Sequence, residues 1–169
     1  MPGISPSVDA LIVVDLQRGF MNEHTRHLCE PIERIQSRFH KVIATRYFRR
    51  EKSLLTKLLG IDGFHEGSPD CEFAFRPRAD ALLLDKTTYS CVDKEFVDRL
   101  RGWSVERTYI CGVDTDQCVL MIAADLLQSD IVPIVCEDLT ASAAGPQYHD
   151  SGLFLLRRLI GREQVRAVL

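Results

Sequence analysis

The chain has 169 residues, of which 46% are hydrophobic and 27% charged, and its formal net charge is −3. That length suits one folded domain, the hydrophobic content is too high for disorder, and the mild acidity offers no basic surface to a nucleic acid. We therefore expect a single domain over residues 1–169 with no nucleic-acid partner.

The apolar segments are too short for a membrane. The cleanest one near the start, residues 10–14, ends at Asp15, whereas a helix that crosses a bilayer needs about 20 residues. No basic leader-like segment precedes it. The six cysteines include no CxxC pair, and the five histidines show no paired metal-ligand spacing. These features predict a soluble, cytoplasmic protein with reduced thiols and no membrane partner.

Short β-branched apolar runs alternate with amphipathic segments along the chain. The runs predict strands, and apolar residues spaced three and four apart predict helices. In chain order, strands are predicted at residues 10–14, 41–45, 81–85, 107–113, 131–135 and 164–169. Helices are predicted at residues 28–39, 52–59, 94–100, 116–128 and 150–159, and residues 61–80 should form a long ordered loop.

This alternation predicts an α/β fold, a three-layer α-β-α sandwich around an open parallel sheet of about six strands. Ligands of such sheets bind beyond the carboxyl ends of the strands. The first strand leads to Asp15, the third to Lys86, and the fourth to a helix whose first turn contains Cys118. A carboxylate, an ammonium and a thiol should therefore meet at one place.

Those three groups suit a cysteine hydrolase. A helix N-terminus and a nearby cation both lower the pKa of a thiol, which attacks as thiolate. A carboxylate can take the thiol proton and pass it to a leaving amine, and backbone N–H groups at Asp114 and Cys118 can bind an oxyanion. Taken singly, the three residues also fit a helix cap, a solvated lysine and a buried helix cysteine. A thiol redox sensor is a further reading, weakened by the lack of a resolving cysteine nearby in sequence, and no glycine-rich loop supports nucleotide binding.

Three segments resemble the signature blocks of the isochorismatase-like (cysteine hydrolase) superfamily, in its nicotinamidase-related branch. They are residues 11–20 around Asp15, residues 85–90 around Lys86, and residues 111–119, Cys-Gly-Val-Asp-Thr-Asp-Gln-Cys-Val, around Cys118. The resemblance runs from about residue 9 to the C-terminus. It implies Asp15 as proton shuttle, Lys86 as thiolate stabiliser and Cys118 as nucleophile.

The same resemblance implies several further features. The backbone N–H groups of Asp114 and Cys118 would form the oxyanion hole, after a cis peptide bond between Val113 and Asp114. Phe20, Val113, Asp114 and Gln117 fall where the family lines its substrate pocket, although ordinary packing or capping explains each equally well. The family hydrolyses small amides or related C–N bonds and assembles as homo-oligomers, dimers or larger. A catalytically idle member that binds a small molecule or supports assembly is the alternative.

The sequence departs from nicotinamidases at their metal site. Those enzymes bind a metal through an Asp-x-His after the second strand and one more histidine, but Tyr47 and Arg49 stand at the paired positions here. A single histidine in the next loop, His65, does not make a metal site. We therefore predict no metal and no cofactor. Nicotinamide is disfavoured as the substrate for the same reason.

The charges near the predicted site also bear on the substrate. A substrate anion 4 Å from Asp15 would be repelled by roughly 4 kcal/mol at an effective dielectric constant of 20. We therefore expect a small neutral or partly cationic amide, unless Arg46 or Arg49 enters the pocket and binds an anion.

Overall fold

Six strands form one sheet in the computed structural model, which describes residues 8–169. The strands are β1 (Val8–Val14), β2 (Lys41–Tyr47), β3 (Leu82–Lys86), β4 (Val105–Val113), β5 (Val132–Ala141) and β6 (Val165–Arg166). Their spatial order is β3-β2-β1-β4-β5-β6, and every neighbouring pair is parallel. The chain therefore turns outward in opposite directions from β1, which is the arrangement that leaves a crevice between β1 and β4. Residues 1–7 of the predicted domain lie outside the described residues.

Within the described residues, five α-helices connect the strands: α1 (Cys29–Ile35), α2 (Leu54–Leu59), α3 (Lys94–Gly102), α4 (Leu120–Gln128) and α5 (Pro146–Leu159). A π-helical turn, Thr115–Val119, leads into α4. Several predicted boundaries are wrong: the first helix ends at Ile35 and not at residue 39, and the fifth strand runs to Ala141 and not to residue 135. The last helix starts at Pro146, not at residue 150, because proline fits the first turn of a helix. The last strand has two residues, because the N–H groups of Val168 and Leu169 donate to the Asp138 carboxylate and not to the sheet.

Both faces of the sheet are covered. Along β1, Ala10, Ile12 and Val14 pack into one hydrophobic cluster, while Leu11 and Val13 pack into a second cluster on the opposite face. All five side chains are fully buried, which explains the unbroken apolar run in the sequence. The predicted α/β class and the open parallel six-stranded sheet are confirmed. No helix within residues 8–169 is long and apolar enough to cross a bilayer.

A glycine on β4 lets two strands converge at the edge where the site lies. Gly112 has φ 103°, and a Cβ there would lie 2.2 Å from the Val14 carbonyl oxygen. Only glycine fits this contact. The ends of β1 and β4 are thereby held side by side, and they deliver Asp15 and the turn that contains Cys118 to the same crevice.

Candidate active site

Asp15, Lys86 and Cys118 meet beyond the carboxyl ends of β1, β3 and β4. The Lys86 ammonium donates to Asp15 Oδ2 at 2.6 Å, to the Thr88 carbonyl at 2.9 Å and to Cys118 Sγ at 3.5 Å. All three donors of the ammonium are therefore engaged. The three residues are buried, with at most 8% of the surface of any of them exposed. The structure thus brings together the three side chains that the sequence singled out.

A fourth side chain, Thr45 on β2, fixes the carboxylate. The backbone N–H of Asp15 donates to Thr45 Oγ1 at 3.1 Å, and the Thr45 hydroxyl donates to Asp15 Oδ1 at 2.7 Å. Each oxygen of the Asp15 carboxylate therefore has a hydrogen-bond donor. The sequence analysis missed Thr45; the available signal was a hydroxyl residue at the end of the strand beside β1.

Burial and the ion pair decide the protonation of the site. Burial lowers the pKa of Lys86, but attraction to Asp15 and Cys118 outweighs it, so the pKa is raised and the ammonium stays charged. Burial and the Asp15 carboxylate raise the pKa of the Cys118 thiol well above its usual value, against the opposing effect of Lys86. The predicted lowering of the thiol pKa is wrong, because the thiol is buried and because Asp15 already balances the lysine charge. At rest, the Cys118 side chain is therefore a thiol beside a carboxylate.

The turn between β4 and α4 presents backbone N–H groups near Cys118. The peptide bond between Val113 and Asp114 is cis, and the π-helical turn begins at the next residue. The N–H groups of Gln117 and Val119 both donate to the Asp114 carbonyl, at 3.1 and 3.2 Å. N–H groups in the first turn of a helix lack partners within it. Cys118 lies in this turn.

The Asp114 side chain is directed partly toward a neighbouring loop. Its Oδ1 accepts a hydrogen bond from the Ala143 N–H at 2.7 Å. Burial nevertheless raises the pKa of this carboxyl to about 6. A small environmental change near neutral pH can therefore alter the charge beside the turn.

A cavity of about 340 Å³ opens over Cys118. Most of its wall is apolar or aromatic, and the residues that line it are Phe20, Tyr47, Leu55, Leu59, Ile61, Phe64, Tyr89, Asp114, Gln117 and Cys118. Phe20, Asp114 and Gln117 line this cavity, and their role in substrate binding stays a prediction. Val113 does not line the cavity, because its fully buried side chain packs into the cluster around Leu11 and Val13.

Aromatic rings organise one side of this cavity. The rings of Phe20 and Phe64 lie 4.5 Å apart, and Tyr47 meets Phe64 edge-on at 5.6 Å. Gly19 makes room for this contact, since a Cβ there would lie 2.5 Å from Phe64 Cζ. Sequence reasoning did not find Leu55, Leu59, Ile61, Phe64 or Tyr89. Leu55, Leu59, Ile61 and Phe64 could have been found from their position in the chain, because the segment that contains them directly follows β2.

Residues 9–164 match the family model described as the isochorismatase domain. The chain belongs to the isochorismatase family. It is a hydrolase of the isochorismatase-like, cysteine hydrolase class, as the three sequence blocks implied. The comparison with curated proteins found no match.

Solved structures of this family share the fold. The chain is similar to a pyrazinamidase of Pyrococcus horikoshii in complex with zinc, with 24% identity, a TM-score of 0.77, and 95% of this chain and 98% of that chain covered. A nicotinamidase from Bacillus subtilis is 19% identical, with a TM-score of 0.80 over 94% and 98% of the two chains. A cysteine hydrolase from Pseudomonas syringae pv. phaseolicola is 21% identical, with a TM-score of 0.80 over 98% and 94%.

Zinc in the Pyrococcus protein raises the question of a metal in this family member. The Tyr47 ring packs against Phe64, and the Arg49 guanidinium donates to the carbonyls of Ile61 and Asp62 at 3.0 and 2.6 Å. Within residues 8–169 no group of three or more His, Cys, Asp or Glu side chains is arranged to hold a metal. A phenol, a guanidinium and apolar neighbours do not fit a divalent cation at this position.

Proposed function

We propose that this isochorismatase-family hydrolase cleaves a small amide, or a related C–N bond, through a thioester on Cys118. One observation carries the proposal. A single ammonium, that of Lys86, contacts both the Asp15 carboxylate at 2.6 Å and Cys118 Sγ at 3.5 Å, and Cys118 itself lines the cavity of about 340 Å³. A nucleophile, a base and a cation within hydrogen-bond reach are the parts that covalent acyl transfer needs.

The acylation step follows from the protonation of the site. Because the thiol is protonated at rest, Asp15 takes its proton as Sγ attacks the carbonyl carbon of the substrate. Lys86 stabilises the negative charge that develops on sulfur. When the tetrahedral intermediate collapses, the C–N bond breaks, and Asp15 gives its proton to the departing nitrogen. Ammonia or an amine leaves, and the acyl group stays on Cys118.

Deacylation runs the same chemistry with water. Asp15 takes a proton from the attacking water, the C–S bond breaks, and the proton returns to sulfur as the carboxylic acid leaves. In both steps the carbonyl oxygen becomes an oxyanion. We assign the backbone N–H groups of Asp114 and Cys118 as its donors, since fixed donors of this kind stabilise developing charge without reorganising.

Ammonia release from a panel of small primary amides, carbamoyl compounds and ureides tests the proposal. We expect turnover by the wild type and a loss of roughly 1,000-fold or more in Cys118→Ala and Asp15→Asn. Cys91→Ala is the matched control, because Cys91 is also buried and lies near Lys86. Full activity of folded Cys118→Ala would overturn the mechanism. Folded wild type that turns over nothing would favour the catalytically idle alternative.

We also propose that the protein assembles as a homo-oligomer. Apolar side chains on α5 support it, since Phe154 is 72% and Leu155 46% exposed, and large exposed apolar groups mark interaction surfaces when they are contiguous. The mass of the protein in solution, from light scattering, should correspond to a dimer or larger. A monomer at micromolar concentration would contradict this expectation.

A further inference from the structure

The cavity over Cys118 has no positively charged lining. Its outer wall comes from Leu55 and Leu59 of α2 and from Ile61 and Phe64 after it, and Phe20 closes the other side. No described residue that lines the cavity is a lysine, an arginine or a histidine. A substrate group in this space would therefore contact carbon on most sides.

The cationic side chains near the cavity already have other hydrogen-bond partners. The Arg46 guanidinium makes two hydrogen bonds to the Asp85 carboxylate, at 2.8 and 3.1 Å, and Arg49 donates to two backbone carbonyls of the loop after α2. The three donors of Lys86 are already used within the site. A substrate carboxylate would therefore find no free cation in the cavity, while the Asp15 and Asp114 carboxylates lie close by.

We propose that the acyl part of the substrate is uncharged and apolar, a branched aliphatic or aryl group held between the Phe20–Phe64 pair and the leucines of α2. This inference rests on the proposed amide hydrolysis. The volume is adequate, since about 340 Å³ accommodates roughly ten non-hydrogen atoms at about 30 Å³ each. Burial against carbon supplies the affinity, and the absence of a cation excludes acids.

Only one face of the short helix α2 contributes to the cavity wall, and through it the helix contributes to the proposed specificity. Ser53 caps its start by accepting a hydrogen bond from the Thr56 N–H, and Gly60 ends it in a left-handed conformation. Leu55 and Leu59 face the cavity, whereas Leu58 does not line it and is 77% exposed. Leu59 sits at the rim with 54% of its surface exposed. A longer side chain at Leu59 can therefore enter the cavity without repacking a core.

Two amides of the same shape test the inference. Isovaleramide and malonamate differ only in that an isopropyl group is replaced by a carboxylate. We expect wild-type kcat/KM to favour isovaleramide by at least about 100-fold, because the anion is left unpaired near two carboxylates. A wild-type preference for malonamate would overturn the inference, and this comparison needs no variant.

A charge introduced at the rim should move the preference. We expect Leu59→Arg to raise kcat/KM for malonamate by about 10-fold or more and to lower it for isovaleramide, since arginine pairs with carboxylates. Leu58→Arg is the matched control, with the same charge on the outer side of α2, and it should leave the ratio unchanged. Equal effects of the two variants would show that long-range charge, and not contact in the cavity, sets the preference.

The failures of the two proposals are distinguishable. Cys118-dependent turnover that is confined to carboxylate-bearing amides would refute the apolar acyl group and leave the proposed hydrolysis standing. A panel in which no amide is turned over in a Cys118-dependent way would refute the proposed hydrolysis itself. Unfolding midpoints of both arginine variants report whether each one is folded.

Discussion

Asp15 is the residue on which the site depends most. Its carboxylate is fully buried, and a buried charge persists only when it is paired and hydrogen-bonded. Lys86 supplies the pair, and Thr45 supplies the second hydrogen bond. The backbone at Asp15 is left-handed, with φ 46°, a conformation that costs a non-glycine residue roughly 1 kcal/mol. The Thr45 hydroxyl offsets part of this cost, because it also accepts the Asp15 N–H.

The Thr45 hydroxyl can be removed without changing the shape of the side chain. We expect Thr45→Val to lower kcat by about 10- to 100-fold with little change in KM, since a hydrogen bond to a charged group contributes about 1.5 to 3 kcal/mol. Thr45→Ser keeps the hydroxyl and should retain most of the activity. Steady-state kinetics on the best amide of the panel measure both. An unchanged kcat in folded Thr45→Val would mean that Lys86 alone holds the carboxylate.

The Asp114 carboxyl should make stability depend on pH. Its pKa is raised from 3.8 to about 6 in the folded protein, so between these values the folded state keeps a proton that the unfolded state has lost. Stability from this group is therefore present at low pH and is lost as pH rises through about 4 to 6. At pH 7 the buried carboxylate destabilises the fold by roughly 2 to 3 kcal/mol.

Asp114→Asn removes that titration and keeps an acceptor for the Ala143 N–H. We expect the variant to be more stable than the wild type at pH 7 and to lose that advantage near pH 4. Urea unfolding at several pH values gives the difference in free energy between the two proteins. A difference that does not vary with pH would contradict the buried, raised carboxyl.

Helix α5 holds the turn that carries Cys118. His149 Nδ1 lies 2.8 Å from Thr115 Oγ1, and the loop before α5 donates the Ala143 N–H to Asp114. Gly152 brings the helix against the turn itself, where a Cβ would lie 2.8 Å from the Asp116 backbone nitrogen. Two hydrogen bonds and one close backbone contact therefore position the proposed oxyanion donors.

The Gly152→Ala variant distinguishes the effect of packing against the turn from the effect of helix propensity on stability. Alanine normally stabilises the interior of a helix by about 1 kcal/mol relative to glycine. Here the added methyl group meets the backbone of the turn, so we expect a loss of about 1 to 3 kcal/mol in unfolding free energy and a lower kcat. Ser151→Ala, one residue earlier and exposed, should change stability by no more than about 0.5 kcal/mol. A Gly152→Ala protein as stable as the wild type would contradict this expectation and would show that the turn moves to accommodate the added methyl group.

The sheet of the molecule and the three polar residues at its edge were predictable from the sequence. The side chains of residues 10–14 are buried on both faces, so they form an unbroken apolar run that signals a central parallel strand. In such a sheet, the residues that follow the strands share one edge. Asp15, Lys86 and Cys118 therefore converge for a reason that the sequence already contains.

The cavity wall and the thiol pKa were not predictable in the same way. Leu55, Leu59 and Phe64 are ordinary apolar residues of a helix and loop, and their direction depends on the path of the chain after β2. Thr45 acts through a contact with a residue 30 positions away. The pKa of Cys118 depends on how completely Asp15 balances Lys86 and on burial, which are properties of the assembled site.

In the proposed mechanism, the acyl group passes through a thioester on Cys118. Hydroxylamine competition during turnover of isovaleramide tests it, because hydroxylamine attacks a thioester faster than water does. We expect a hydroxamate to form at the expense of isovaleric acid as hydroxylamine rises, together with an isovaleryl adduct on the Cys118 peptide after acid quench. Steady ammonia release that gives only isovaleric acid at every hydroxylamine concentration, with no adduct on Cys118, would contradict the thioester.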